Sequence, residues 1–251
     1  MKKCAVVTGA ASGIGLAIAK RLSQDNLNIV IADIDKIQGV KVAEELKGLF
    51  VQSDLSEATA CQALIKETVE HFGGVDILIN NAGFQQVSPI EHFPEKKWEQ
   101  MIALMLSAPF RLTKYTWPHM KEKNWGRVVN IASVHGLVAS PYKAAYISAK
   151  HGLLGLTKTA ALEGGEFGIT VNALCPGYVR TPLVENQIVD LAKSYGINED
   201  EVVEKIMLKA SAIKKMIEPS EIAELVSFLC TDNAKSITGA TWTIDGGWTA
   251  Q

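Results

Sequence analysis

Residues Cys4 to Gly15 read Cys-Ala-Val-Val-Thr-Gly-Ala-Ala-Ser-Gly-Ile-Gly, a short apolar run that passes straight into three glycines. The run Ala5–Thr8 has the length and composition of a buried strand, and the spacing of apolar residues from Ile14 to Gln24 predicts a helix behind it. Glycines at 9, 13 and 15 let the backbone turn tightly and approach a pyrophosphate, which a helix N-terminus stabilises. The spacing is GxxxGxG, a variant of the general GxGxxG dinucleotide fingerprint. A strand, a glycine turn and a helix in that order predict the first unit of a dinucleotide-binding sheet. Gly9, Ser12, Gly13, Ile14 and Gly15 form its loop.

The remaining chain repeats the alternation. Strands are expected at Asn28–Asp33, Gly48–Ser53, Val75–Asn80, Arg127–Ser133, Ile169–Cys175 and Thr241–Asp245. Helices are expected at Ile37–Leu46, Ala58–Phe72, Glu95–Lys121, Ala144–Gly164 and Pro219–Leu229. Such alternation predicts an α/β fold: one Rossmann-type, doubly wound parallel sheet with helices on both faces. Residues 178–215 are too long for a simple crossover and rich in helix formers, so a helical lid is expected there, inside a single domain spanning 1–251.

Composition narrows the function. The 251 residues are 47% hydrophobic and 21% charged with a net charge of −2, which advertises no basic surface for nucleic acid or an anionic membrane. No run approaches the ~18 apolar residues of a membrane span. The four cysteines, Cys4, Cys61, Cys175 and Cys230, lack metal spacing and read as reduced, buried residues of a cytoplasmic protein; no metal site is expected.

Asp33 ends the second predicted strand about twenty residues beyond the loop, where a carboxylate accepts bonds from the adenosine ribose. It would repel a 2′-phosphate, and neither Ser12 nor Ile34 offsets that charge. NAD is therefore expected over NADP, with Lys36 the one nearby cation. Further along, Tyr146 and Lys150 stand four residues apart on one predicted helical face. A cation beside a phenol lowers its pKa and makes it a general acid/base. Ser133 closes the strand-like run Arg127-Val-Val-Asn-Ile-Ala-Ser133, so its hydroxyl is expected at a strand's C-terminal end.

Together these residues resemble the short-chain dehydrogenase/reductase family over essentially the whole chain. The resemblance runs through Thr8–Gly15, Asn80-Asn-Ala-Gly83, Ser133, Tyr146-x-x-x-Lys150, Pro176-Gly177 and Asp245-Gly-Gly247. It implies that Asp54 and Leu55 flank the adenine, that Asn81 and Gly83 lie along the cofactor, and that Pro176, Val179 and Thr181 meet the nicotinamide end. It gives Ser133 the orientation of the substrate oxygen, Tyr146 the proton transfer, and Lys150 a ribose contact and the pKa shift. It also implies a homotetramer, which the apolar segment Ala240–Trp248 suits. One position departs: Met105 stands where the family usually places an asparagine that helps hold a proton-relaying water.

Within that family the segments Asn81-Ala-Gly-Phe-Gln85, Ser133–Ser140, Tyr142-Lys143, Cys175–Val179 and Thr181–Gln187 are similar to those of members acting on a short 3-hydroxy acid. This implies interconversion of (R)-3-hydroxybutyrate and acetoacetate with NAD, the carboxylate held by Gln85, His135, Lys143 and Gln187. Charge-assisted bonds to a carboxylate, worth about 1.5–3 kcal/mol each, would orient so small a molecule. Three alternatives stay open: an NADPH-dependent 3-oxoacyl-carrier-protein reductase, a dehydrogenase of another small hydroxy acid, and an NAD-binding sensor or scaffold without turnover.

Overall fold

The computed structural model describes residues 2–250, apart from the side chains of residues 183, 190 and 194; the two ends of the expected 1–251 domain lie outside the described residues. Seven parallel strands form one sheet: β1 (Cys4–Thr8), β2 (Asn28–Asp33), β3 (Leu49–Gln52), β4 (Ile77–Asn80), β5 (Gly126–Ile131), β6 (Ile169–Pro176) and β7 (Thr241–Ile244). Their order is β3-β2-β1-β4-β5-β6-β7, so the winding reverses between β1 and β4. At such a reversal the crossovers diverge and leave a crevice at the carboxyl ends of the strands.

Strand alternation divides the core in two. Val7, Ile29, Ile31, Ile77 and Ile79 point to one face and pack with Ile18, Leu22, Ile222 and Val226 of α1 (Gly13–Gln24) and α9 (Pro219–Leu229). The intervening Val6, Val30, Leu78, Val128 and Val171 point the other way, onto Leu64, Leu112 and Met120. Those three belong to α3 (Ala58–Phe72) and α5 (Ala108–Glu122). Burial on both sides is why these strands read as continuous apolar runs. α2 (Lys36–Leu46) follows β2, and α4 (Glu95–Ile102) precedes α5.

The sequence predicts one helix over Glu95–Lys121, but a π-helical stretch at Ala103–Ser107 separates α4 from α5. Pro109 lies just beyond it, and its missing N–H interrupts regular α-helical bonding at that turn. α6 (Ala144–Gly164) is anchored by a buried polar chain. Asn80 Nδ2 donates to Asn130 Oδ1 at 2.8 Å, and Asn130 Nδ2 donates to Thr157 Oγ1 at 2.8 Å. Two adjacent strands and the helix are thereby fixed in mutual register. Between β6 and β7 lie α7 (Pro182–Tyr195) and α8 (Glu199–Val202), with their own apolar cluster of Ile188, Val202, Met207, Leu208 and Met216.

Candidate active site

A cleft of about 450 Å³ opens at the carboxyl ends of the strands, lined at one end by Asp33, Asp54 and Leu55 and at the other by Ser133, Tyr146 and Lys150. Gly9, Ser12, Gly13, Ile14, Asn81, Gly83, Pro176, Val179 and Thr181 line the stretch between. The structure thus gathers the expected dinucleotide residues around one groove. Gly15, the remaining one, is buried directly behind it.

The glycine loop is braced from several sides. Gly9 takes a φ of +62°, and a Cβ on Gly15 would stand 2.1 Å from the Gly9 carbonyl oxygen, so no larger residue fits. Asn81 Nδ2 donates to the carbonyls of Thr8 (2.9 Å) and Gly9 (3.2 Å). The Thr8 hydroxyl accepts from the N–H groups of Asn81 and Ala82. Asp33 Oδ2 accepts from Ala11 N–H at 2.9 Å and Oδ1 from Asp35 N–H at 3.0 Å, which ties the end of β2 to the loop. Ser12 caps α1 without a side-chain bond. The first N–H groups of the helix therefore face the groove with no intrahelical partner, a ready anion site. These features fit a dinucleotide: N–H donors for its pyrophosphate, and a carboxylate with spare lone pairs for a ribose.

At the other end β5 stops at Ile131, two residues short of the expected strand end at Ser133. Ser133 instead precedes a 3-10 turn, and its Oγ accepts from His135 N–H at 3.1 Å. Lys150 is buried, and its Nζ donates to the Ile131 carbonyl at 2.7 Å. Burial lowers its pKa to about 8. Burial also raises the pKa of Tyr146, which the adjacent Ser133 side chain only partly offsets. This corrects the expectation that the lysine lowers the phenol's pKa: the ammonium is turned to a strand carbonyl, and its Nζ is 5.5 Å from the centre of the Tyr146 ring. Met105 is fully buried with Ala145, Ala149 and the Tyr146 ring, and its sulfur crowds the place where a Cβ on Gly83 would be. It packs there as an apolar residue.

His135 and Lys143 meet, with Lys143 Nζ 3.2 Å from His135 Nε2. An ammonium has only donors, so Nε2 accepts and the neutral ring carries its proton on Nδ1. Nδ1 is buried and faces the Val138 carbonyl too loosely to bond it. Burial, helped by the Lys143 charge, lowers the His135 pKa to about 4. Burial likewise lowers that of Lys143. Gln85 Oε1 is also buried without a partner. Gln187 lies half-buried on α7 and has no hydrogen-bond partner among the described residues.

Two residues of this region carry no expected catalytic or ligand-binding role in the sequence, Trp248 being expected only in the apolar segment that suits an interface. Trp248 meets the edge of His135 at 5.6 Å and stacks on Tyr178 at 5.5 Å. The only signal for them is local: Tyr178 follows the Pro-Gly turn after β6, and Trp248 follows the Gly-Gly after β7. Nothing in the sequence pattern joins them across the seventy positions that separate them. Among the described residues no group of three or more His, Cys, Asp or Glu is placed to hold a metal ion. No helix among them is long and apolar enough to cross a membrane.

A parallel sheet of this winding, a glycine loop at its reversal and a Ser–Tyr–Lys set opposite define a dinucleotide-dependent oxidoreductase. A family profile described as "Enoyl-(Acyl carrier protein) reductase" matches residues 9–249, and the chain belongs to the short-chain dehydrogenase/reductase family. It is 47% identical, over the full length of both chains, to the D-beta-hydroxybutyrate dehydrogenase of Rhizobium meliloti (strain 1021). It is 41% identical to the D-beta-hydroxybutyrate dehydrogenase of Cupriavidus necator, over 99% of this chain and 98% of that one. Among solved structures, it superposes on a single-residue variant of the actinorhodin polyketide ketoreductase with NADPH at a TM-score of 0.94 and 32% identity, covering 100% of this chain and 98% of that one.

Proposed function

We propose that this oxidoreductase interconverts (R)-3-hydroxybutyrate and acetoacetate, with NAD as its dinucleotide. The observation that carries the substrate is the buried His135, whose ring stands edge-on to Tyr146 at 6.2 Å with Lys143 against its Nε2. Gln85 and His135 leave side-chain atoms unpartnered, and Lys143 adds a positive charge to them. A small carboxylate only accepts hydrogen bonds, so it would pair with His135 Nδ1–H and the Lys143 ammonium and recover the cost of burying that donor unpartnered; the Gln85 oxygen, itself an acceptor, gains nothing from it. The two D-beta-hydroxybutyrate dehydrogenases at over 40% identity support the same substrate. Gln187, on α7, is assigned the fourth contact, so that closure of residues 178–215 as a lid would accompany substrate binding.

The dinucleotide supplies hydride exchange at its nicotinamide. Tyr146 holds the exchangeable proton; with its pKa raised it is protonated at neutral pH, set to donate to the C3 oxygen as acetoacetate is reduced. Ser133 orients that oxygen. Lys150, whose Nζ is bonded to the Ile131 carbonyl, would supply the contact to the nicotinamide ribose. NAD is preferred because Asp33 is held by two backbone N–H groups at the place where a 2′-phosphate would otherwise sit. Four buried, unpaired cysteines support a reducing, cytoplasmic location. The half-exposed edge strand β7 supports assembly into a homotetramer.

The test is NADH oxidation with acetoacetate, run beside its methyl ester and beside NADPH, on material separated by mass. Turnover of the acid with NADH, in a fraction of tetramer mass, is the expected result. Equal turnover of ester and acid would remove the carboxylate site, equal use of NADPH would remove the role of Asp33, and activity confined to a monomer would remove the tetramer.

A further inference from the structure

Among the described residues, four other than glycine take a positive φ: Asn26, Lys47, Asn124 and Tyr142. Asparagine tolerates this region, and Lys47 occupies it as the C-cap of α2. Tyr142, at a φ of +69°, has neither feature. It follows Pro141 within a turn, whose left-handed corner glycine or asparagine would normally fill. The Tyr142 side chain is 57% exposed, so packing of its ring does not hold the backbone there.

A hydrogen bond does. The Tyr142 carbonyl accepts from Ser88 N–H at 2.9 Å. Ser88 lies three residues beyond Gln85 in the segment that follows β4. Lys143, the next residue after Tyr142, caps α6 and reaches His135. One main-chain bond therefore joins the loop bearing Gln85 to the helix start bearing Lys143.

We propose that Tyr142 is a positioning residue: its strained left-handed turn sets the spacing between Gln85 and Lys143 through the Ser88 bond, and holds that spacing lightly enough to release. With tyrosine at that corner the left-handed conformation costs energy, and the Ser88 bond opposes that cost. When the bond opens, the turn relaxes toward extended backbone and Lys143 moves away from Gln85. A carboxylate contacting both sides closes the turn again. The proposal rests on the carboxylate reading of this site.

The test compares Tyr142→Gly, Tyr142→Asn and Tyr142→Val. Glycine and asparagine occupy the left-handed corner with less strain, so KM for acetoacetate should fall several-fold, while KM for the methyl ester and the affinity for NADH stay as they are. Valine is β-branched and disfavours that backbone, so KM for the acid should rise roughly tenfold with the ester again unmoved. Acid and ester shifting together, or neither shifting in the glycine and asparagine variants, overturns the proposal. Those two variants decide the matter alone if the valine variant does not fold. A wild-type enzyme that fails to prefer acid over ester removes the underlying reading. A wild-type preference that the Tyr142 variants leave unsplit removes only the role of Tyr142.

Discussion

In the dinucleotide half of the cleft nearly every polar side chain is already committed to the chain itself. Asp33 accepts from two backbone N–H groups, Asn81 donates to two carbonyls, and the Thr8 hydroxyl bonds three partners. In the substrate half, behind the wall formed by Ser133 and Tyr146, His135 Nδ1 is buried with no partner and the Lys143 ammonium is spent on its neutral imidazole. Gln85 Oε1 is also buried and unpaired, and neither these three residues nor Gln187 lines the cleft itself. The first half is a preformed receptor. The second keeps its polar capacity open, so its specificity comes from what the ligand must satisfy. Tyr146 and Lys150 stand at the seam, on a helix locked to the sheet through Thr157.

The largest expected effect falls at that seam. Tyr146→Phe removes the proton carried to the substrate oxygen and nothing from the glycine loop. Turnover should fall by about 10²–10⁴-fold, the usual contribution of general acid–base catalysis, with NADH affinity nearly unchanged. Retained turnover would break the division of labour, because the seam would then carry no chemistry.

His135 sharpens the substrate side. Its pKa lies at about 4 in the fold against 6.5 for an unperturbed ring, because it is buried beside Lys143. Between those values the unfolded chain binds more proton than the folded one, so stability rises with pH through this window. The stability is intact above about pH 6.5 and drains away as pH falls toward 4, by a few kcal/mol at most. His135→Gln should flatten that part of the profile in denaturant titrations. An unchanged profile would mean that His135 is not held neutral by its surroundings.

How much of this was legible in sequence differs between the halves for a physical reason. The glycine loop, Asp33 and Asn81 act within a few residues of strand ends, so local pattern locates them. The substrate half depends on contacts that pattern does not encode. Trp248 stacking on Tyr178 joins segments seventy positions apart, and the Lys143–His135 pair depends on how a 3-10 turn meets the start of α6. The break at Ala103–Ser107 was hidden because apolar periodicity continues across it. The orientation of Lys150 was hidden too, since i, i+4 spacing places it near Tyr146 without showing that the Ile131 carbonyl accepts its hydrogen bond.

Two glycine substitutions test how preformed the first half is, and they give the smallest effects. At Gly15 a new methyl group would lie 2.1 Å from the Gly9 carbonyl oxygen and 2.6 Å from Asn81 Nδ2, both parts of the brace. Gly15→Ala must therefore push the loop off its bonds. It should cost about 1–3 kcal/mol of stability, as overpacking does, and should weaken NADH binding with it. Gly155 lies on the exposed side of α6 with nothing within 4 Å of a Cβ. Gly155→Ala relieves the helix of a flexible residue and should add about 0.5–1 kcal/mol while leaving NADH binding alone. Melting and NADH titration on the two variants separate loop geometry from helix propensity. If Gly15→Ala lost stability but kept full NADH affinity, the glycine loop would be a packing feature of β1 and α1, and the receptor would have to be sought in the groove's other walls.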